Sequence, residues 1–185
     1  MSQCDARAVI LAAGTSSRVG GQKLLMNFRG RPLIEHALGA AAHLQPVVVA
    51  GRELVAYLAG REGVVTLLNA RPELGMTHSL AIANRFVHPT LTLAVLLGDK
   101  PLVTPALIGS ICAAAEEADC VYPVRGDEPG HPVVISTRAR ARIESLPSGD
   151  TLRMLRDDPQ LRSQAIQTDD PGAYFDVDTA EALEA

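Results

Sequence analysis

The sequence is short of aromatic residues, cysteine pairs and long apolar runs, and each shortage excludes a class of protein. Its 185 residues include three Tyr, three Phe and no Trp, too few for a base-stacking platform that binds single-stranded nucleic acid. The cysteines Cys4, Cys112 and Cys120 form no CxxC pair, which favours unpaired thiols in a reducing compartment over a disulfide framework or a zinc site. No apolar run reaches the roughly 18 residues of a membrane span, and Gly14 with its polar neighbours interrupts any secretory leader. We therefore expect a cytoplasmic protein without a membrane segment.

Basic charge is also scarce, and much of it lies at one end. The chain has 17 Lys and Arg against 21 Asp and Glu, a formal net charge of −4, whereas a general nucleic-acid binder is normally basic. Residues 1–34 nevertheless hold five basic residues and one acidic residue, while residues 35–185 hold twelve and twenty. A basic segment on an acidic body indicates either a phosphate-binding site or an ordinary solvated surface.

Apolar runs of strand length alternate with segments of helical periodicity. The runs are 8–13, 47–50, 64–68, 93–97, 121–124 and 132–135. Strands that are apolar on both faces belong in a parallel sheet covered by helices, so the pattern predicts one α/β domain over residues 1–185, three-layered and doubly wound. Too few residues separate the last two runs for a helical crossover, so one strand there should be antiparallel.

The loop after the first predicted strand is the most informative stretch. Residues 11–23 are LAAGTSSRVGGQK, whose glycines permit positive φ and a close backbone approach to a ligand. Arg18 and Lys23 add cations that suit phosphate oxygens. Ligands of doubly wound sheets bind beyond the carboxyl ends of the strands, where this loop lies. The alternative is a surface loop with two solvated cations.

Carboxylates follow at two further places. Asp99 comes just after the fourth predicted strand, where it projects into the ligand crevice and can hold Mg²⁺. The segment 175–181 alternates like a strand and places Asp176 and Asp178 on one face, and two buried carboxylates on one face require a cation. Asp178 or Thr179 could instead cap a final helix.

These ordered motifs resemble the MobA-like NTP transferase family. The pattern Leu-x2-Gly-x3-Arg-x-Gly-x2-Lys at 11–23 and GRPL at 30–33 match its opening signature. GDKP at 98–101 and GHPV at 130–133 are similar to two later motifs. The tetrapeptide LAAG at 11–14 most resembles the molybdenum cofactor cytidylyltransferases, because guanylyl-transferring relatives usually end it with two glycines.

The resemblance implies a single nucleotidyltransferase domain with a nucleotide-diphospho-sugar transferase-like fold, whose mostly parallel sheet has about seven strands. It implies transfer of CMP from CTP to the terminal phosphate of molybdenum-bound molybdopterin, with Mg²⁺ as cofactor and pyrophosphate as product. The implied partners are a nucleoside triphosphate, a molybdopterin-type phosphorylated acceptor and a molybdoenzyme or its chaperone, without nucleic acid or membrane.

The resemblance also assigns residues to roles. The catalytic residues would be Arg18, Lys23 and Asp99. The metal ligands would be Asp99, Asp178 and Asp176. The nucleotide would contact Leu11, Ala12, Ala13, Gly14, Arg18, Lys23, Asn69, Gly75, Ser79 and Asp99. His131 would lie in the acceptor pocket, and Lys100, where the family has Gln or Met, could screen the metal site or reach a phosphate. A structural alternative for Ser79 is that it or Thr77 caps a helix.

Other functions stay open at this point. One is nucleotidyl transfer from GTP, UTP or CTP to another phosphorylated acceptor, such as a sugar or polyol phosphate. Another is a non-catalytic, nucleotide-binding maturation chaperone for a molybdoenzyme, which would bind CTP without releasing pyrophosphate. A third is a plain α/β domain whose loop cations bind incidental anions.

Overall fold

The apolar runs of the sequence form the strands of one central sheet. The computed structural model describes residues 5–14, 23–147 and 151–178. The strands are β1 (Ala6–Ala12), β2 (Asn27–Phe28), β3 (Arg31–Pro32), β4 (Val47–Ala50), β5 (Val65–Leu68), β6 (Thr92–Leu97), β7 (Cys120–Arg125), β8 (Glu128–Pro129), β9 (Val133–Ile135) and β10 (Ser163–Gln167). The α-helices are α1 (Leu33–Ala41), α2 (Arg52–Leu58), α3 (Gly75–Phe86), α4 (Pro105–Ala113), α5 (Thr137–Arg140) and α6 (Thr151–Arg156). The 3₁₀ helices are Lys23–Leu25, Ala42–Leu44, Pro72–Leu74, Ala114–Glu116, Ile143–Ser145 and Pro171–Ala173.

The sheet is mostly parallel, as predicted. Its strand order is β10-β7-β9-β6-β1-β4-β5, and β8 pairs with β7 outside this path. The central strand β1 is parallel to both β4 and β6. β9 is antiparallel to β6 and β7, which confirms the antiparallel strand that the short connection after β7 required. β2 and β3 form a separate two-stranded hairpin.

Both faces of the central strands are buried, and β1 shows how its sequence achieves this. The edge strand β5 differs from the expectation for run 64–68, because it leaves Val65 and Leu68 exposed. Ala8, Ile10 and Ala12 pack in a core cluster that α1, α2 and α4 complete. Val9 and Leu11 pack in a second cluster with residues of α3, α5 and α6. Each large side chain so buried contributes about 1.5–3 kcal/mol. The three-layer, doubly wound arrangement is therefore confirmed.

Near the C-terminal end, the structure differs from what the sequence predicts. The sequence did not predict β10 (SQAIQ), because this edge strand has no continuous apolar run. Its residues alternate between exposed and half-buried, as on a strand with one face packed against the protein. The predicted strand at 175–181 is wrong over residues 175–178, which lie outside the strands of the sheet. Instead of pairing with a neighbouring strand, the Val177 amide donates a hydrogen bond to the Asp99 carbonyl over 3.1 Å. Thr179, the alternative helix cap, lies outside the described residues.

Two further sequence expectations concern cysteines and membranes. Cys112 and Cys120 are buried thiols, and Cys4 lies outside the described residues. Burial raises the pKa of the Cys120 thiol to about 12, so this thiol stays protonated and unreactive near neutral pH. Within the described ranges, none of the helices has the length and apolar character that crossing a bilayer demands.

A buried arginine ties the C-terminal end of α3 to α5. The Arg140 guanidinium, 4% exposed, donates to the carbonyl oxygens of Asn84, Val87, His88 and Leu91 over 2.6–2.9 Å. It also donates to Asn84 Oδ1 over 2.8 Å. The last carbonyls of a helix have no partner within the helix, so Arg140 supplies the donors that this end requires.

Arg140→Met should therefore destabilise the fold strongly. The substitution keeps most of the volume but leaves several buried carbonyl oxygens without donors, and we expect the free energy of unfolding to fall by about 3 kcal/mol. Urea unfolding followed by circular dichroism measures the loss. The control is Arg85→Ala on α3, the helix whose end Arg140 contacts; it removes an exposed ion pair to Glu144 and should cost less than about 0.5 kcal/mol. Equal losses in the two variants would contradict the role given to Arg140.

Candidate active site

A cavity of about 390 Å³ lies at the carboxyl ends of β1 and β6. Of the residues expected to contact a nucleotide, it is lined by Leu11, Ala12, Ala13, Gly14, Lys23, Gly75, Ser79 and Asp99. Asp178 also lines it, together with the apolar side chains of Leu24, Pro72, Met76 and Leu97, which the motifs did not indicate. Arg18 lies outside the described residues. The structure thus brings segments that are far apart in sequence to one crevice, at the edge of the sheet where ligands bind.

Asn69 lies behind this cavity and not on its surface. Its side chain is 2% exposed, donates from Nδ2 to Ser79 Oγ over 2.9 Å and accepts from the Arg71 amide over 2.8 Å. The structure therefore does not place Asn69 on the cavity wall, where a nucleotide contact was expected, but in contact with Ser79, which lines the cavity. The capping alternative for Ser79 and Thr77 is wrong, since both lie inside α3, whose N-cap is Leu74 without a side-chain hydrogen bond.

Lys23 lies between two carboxylates in the cavity wall. Its ammonium Nζ is 2.9 Å from Asp99 Oδ2 and 3.1 Å from Asp178 Oδ1. Burial by itself would lower the pKa of Lys23, but the hydrogen bonds and charges of the two carboxylates outweigh burial and raise this pKa above its usual value. Lys23 is thus a charged ammonium near neutral pH.

Close packing before Asp99 explains the glycine in the GDKP motif. A Cβ on Gly98 would lie 3.1 Å from Leu24 Cδ1, 3.2 Å from Ile34 Cδ1 and 3.3 Å from Ala12 Cβ. These distances are shorter than ordinary van der Waals contacts, so a larger residue would push the turn away from the core. Glycine therefore lets β6 end directly against β1 and α1, which places Asp99 at Lys23.

Asp176 does not share the Lys23 site, contrary to the sequence expectation. Lys100, 4% exposed, places Nζ 2.6 Å from Asp176 Oδ1 and donates to the Tyr174 carbonyl over 3.3 Å. Burial raises the pKa of the Asp176 carboxyl, Lys100 opposes this, and the charges of Asp99 and Asp178 raise the pKa further. Asp176 therefore pairs with Lys100, whereas Asp178 pairs with Lys23.

The donor set around Lys23 suits a divalent metal ion. Two carboxylates that already share one cation match Mg²⁺, which commonly binds one or two carboxylates together with substrate phosphate oxygens. Across residues 5–14, 23–147 and 151–178, no three His, Cys, Asp or Glu side chains are grouped so as to hold a metal by themselves. Asp99 and Asp178 therefore fit a metal that is held jointly with a phosphorylated ligand.

A second cavity, of about 250 Å³, adjoins the first. Met76 lines both cavities, and the second is also lined by Tyr122, His131, Arg153 and Arg156. The His131 Nε2 atom is buried, and no hydrogen-bond partner for it lies among the described residues. The Arg156 guanidinium lies 5.3 Å from the Tyr122 ring centroid. The sequence signal that could have identified the two arginines is their i, i+3 spacing, which places them on one face of α6.

Glycine precedes His131 for a steric reason. A Cβ on Gly130 would lie 2.7 Å from the Ala173 carbonyl oxygen and 2.8 Å from Tyr174 Cε1. The His131 amide donates to the same Ala173 carbonyl over 3.0 Å. The backbone at 130–131 therefore packs directly on the segment that leads to Asp176 and Asp178, which links the walls of the two cavities.

Comparison with known proteins adds several relatives. A bifunctional protein GlmU of Acidovorax sp. (strain JS42) is 35% identical over 135 residues, 65% of this chain and 28% of that protein. A molybdenum cofactor guanylyltransferase of Xanthomonas euvesicatoria pv. vesicatoria (strain 85-10) is 36% identical over 110 residues, 58% of this chain and 54% of the relative. The chain thus spans about a quarter of the length of the GlmU protein and about half of the length of the guanylyltransferase. A nicotine blue oxidoreductase of Paenarthrobacter nicotinovorans is 30% identical over 193 residues, 95% of this chain and 93% of the relative.

Solved structures share the fold. The crystal structure of Rv0371c from Mycobacterium tuberculosis H37Rv superposes with a TM-score of 0.82 at 24% identity, covering 98% of this chain and 99% of that chain. The same protein in complex with manganese gives a TM-score of 0.77 at 22% identity, covering 97% and 96%. The family model of the MobA-like NTP transferase domain matches residues 8–165. This chain therefore belongs to the MobA-like NTP transferase family.

Proposed function

We propose that the protein is a Mg²⁺-dependent nucleotidyltransferase that moves CMP from CTP to the terminal phosphate of molybdenum-bound molybdopterin. The observation that carries the proposal is the Lys23 ammonium held between Asp99 and Asp178 in a cavity at the carboxyl ends of the strands. A cation beside paired carboxylates suits a triphosphate and its metal ion. Membership of the NTP transferase family supports the class of reaction.

The first cavity is assigned to CTP. Its wall at 11–14 consists of Leu, Ala, Ala and Gly, small enough for a base and ribose to approach the backbone. Ala13 places a methyl group where the guanylyl-transferring type has glycine, which leaves less room for a purine. A substrate that differs by one methylene in an apolar pocket is discriminated by about 10–200-fold, and we expect the Ala13 methyl group to act at the lower end of this range. Ser79, held by Asn69, and the backbone of Gly75 would contact the nucleotide on the opposite side.

The chemistry needs alignment and charge neutralisation rather than a strong base. A phosphate monoester is anionic near neutral pH, so its oxygen can attack the α-phosphorus without prior proton removal. One phosphorus–oxygen bond forms as the bond to the β-phosphate breaks, and pyrophosphate leaves with its electron pair. Lys23 would turn from the carboxylates to the phosphate oxygens and stabilise the departing charge. Arg18 is proposed to assist, on the evidence of the motif alone.

Asp99 and Asp178 are the residues that would hold Mg²⁺. The bound ion would neutralise phosphate charge and polarise the phosphoryl oxygens as a Lewis acid. Asp99 is fixed at the end of β6, while Asp178 reaches the site from the C-terminal segment.

The second cavity is assigned to the acceptor. It opens beside Met76, so an acceptor bound there could extend its phosphate into the first cavity. His131 would supply a hydrogen bond from Nε2, for which the described residues offer no partner, while Arg153 and Arg156 would favour an anionic acceptor. A molybdoenzyme or its chaperone is the proposed recipient of the product.

An oxidoreductase is the second candidate function, because the nicotine blue oxidoreductase matches this chain along nearly its whole length. Such an enzyme would oxidise or reduce its substrate without releasing pyrophosphate. The two candidates therefore differ in a product that is simple to assay.

The direct test is a pyrophosphate-release assay with CTP, GTP, UTP and ATP, each with and without molybdenum cofactor. We expect release that requires the cofactor and is at least about tenfold faster with CTP than with GTP. A faster reaction with GTP would reverse the proposed base preference. Release only with a sugar or polyol phosphate would indicate another acceptor. Nucleotide binding without release under any condition would favour the maturation chaperone.

Lys23→Met and Asp99→Asn should each slow pyrophosphate release by at least about 100-fold, because each removes a charge that acts on the reacting phosphates. Circular dichroism should show an intact fold. Arg85→Met is the matched control, because it removes an exposed cation from α3 without touching either cavity, and its rate should stay within about twofold of wild type. Near-normal rates in the Lys23 and Asp99 variants would refute the proposed mechanism.

His131 should bind the acceptor as a neutral group. Burial and the nearby charge of Lys100 lower the pKa of His131 to about 3 from a reference value of 6.5. Between these values the unfolded chain takes up a proton that the folded chain does not, so the free energy of unfolding should fall as pH drops through this window.

The matched comparison is wild type against His131→Asn. From about pH 7.5 to about pH 5, the variant should lose about 1–2 kcal/mol less of its free energy of unfolding than wild type in urea titrations. The same variant should raise the KM for the acceptor more than that for CTP. Identical pH dependence in the two proteins would show that His131 is not held neutral in the fold.

A further inference from the structure

Two lysines and three carboxylates meet where β6 ends. Lys23 contacts Asp99 and Asp178, whereas Lys100 contacts Asp176. The five charges sum to −1, and they are divided into one shared site and one separate pair. The division matters because Asp176 lies next to the shared site: only Val177 separates it from Asp178, and the Val177 amide bonds the Asp99 carbonyl.

Lys100 is fixed in its pair and is not available to a phosphate in the cavity. Its side chain is 5% exposed, against 41% for Asp176. A buried ammonium is costly unless it is paired and hydrogen-bonded. Asp176 Oδ1 at 2.6 Å and the Tyr174 carbonyl at 3.3 Å provide these partners. The carboxylate of Asp176 is thereby directed at Lys100.

The same contacts dock the C-terminal segment beside Asp99. Lys100 Nζ bonds the segment at Tyr174 and Asp176, and the Val177 amide bonds the Asp99 carbonyl over 3.1 Å. Asp178 follows directly and contacts Lys23. Lys100 thus influences which of the two aspartates reaches the shared site.

We propose that Lys100 is a positioning residue that withdraws Asp176 from the metal site, so that Asp99 and Asp178 alone hold the divalent ion. The inference rests on the proposed function for the presence of that ion. A site of two carboxylates needs the phosphate oxygens of a nucleotide to complete the coordination of Mg²⁺. Metal therefore binds weakly by itself and firmly with the nucleotide, and Lys100 maintains this dependence.

The test is a titration of the intact protein with Mn²⁺ alone, with free Mn²⁺ measured by electron paramagnetic resonance. Lys100→Met removes a cation and releases Asp176 toward the site, so it should tighten Mn²⁺ binding by about fivefold or more. Asp176→Asn leaves Lys100 without its carboxylate and should weaken binding by a similar factor. The double variant removes both charges and should return to within about twofold of wild type.

The direction of each change separates this role from a merely structural one. Weaker binding in Lys100→Met would mean that Lys100 only supports the fold, and a double variant as weak as Asp176→Asn would mean that Asp176 is itself a ligand. Either result overturns the inference, as does a Lys100→Met protein that binds Mn²⁺ no more tightly than wild type. If Lys100→Met does not fold, the Mn²⁺ affinities of the double variant and of Asp176→Asn still test the inference, because the double variant should bind Mn²⁺ more tightly. Pyrophosphate release by wild type is measured in a separate assay. If no pyrophosphate is released but the Mn²⁺ affinities change as expected, the proposed reaction is refuted and the role of Lys100 is not.

Discussion

The site depends on one interaction, the contact of the Lys23 ammonium with the carboxylates of Asp99 and Asp178. These residues come from the segment after β1, the turn after β6 and the C-terminal segment, and Lys23 joins all three. The ammonium is buried, and it remains charged because the carboxylates outweigh the cost of burial. The three charged groups are therefore held together before any ligand arrives, and in the proposed reaction the phosphate oxygens would take over the ammonium from the carboxylates.

The fold supplies the rigid support for this contact. β1 and β6 are adjacent parallel strands buried on both faces, so their carboxyl ends have little freedom to move. Gly98 lets β6 end close against β1, and Arg140 anchors the end of α3, the helix whose first turns line both cavities. The second cavity packs on the segment that carries Asp178, through the contact of Gly130 and His131 with Ala173. The two cavities thus share one continuous support.

The sequence was sufficient to predict the buried strands, because an apolar run covered on both faces leaves a clear one-dimensional signal. The position of residues 11–14, Lys23 and Asp99 in one cavity was also predictable, since they end or follow such strands or belong to a recognisable motif. The edge strand β10 was missed because its residues are exposed or half-buried and form no apolar run. The division of Asp176 and Asp178 between two lysines was missed because it depends on side chains 76 and 155 positions apart in sequence. Asn69 was predicted to contact the nucleotide, but only the packing shows that its side chain is buried and hydrogen-bonds Ser79.

The most direct measurement is a crystal structure of the protein with Mn²⁺ and a non-hydrolysable CTP analogue, with the metal located by its anomalous scattering. We expect a peak bound by the carboxylates of Asp99 and Asp178 and by phosphate oxygens. Lys23 should contact the phosphates, and Asp176 should remain paired with Lys100. A metal peak or a triphosphate bound away from these residues would contradict the central claim that the Lys23 cluster is the nucleotidyl-transfer site.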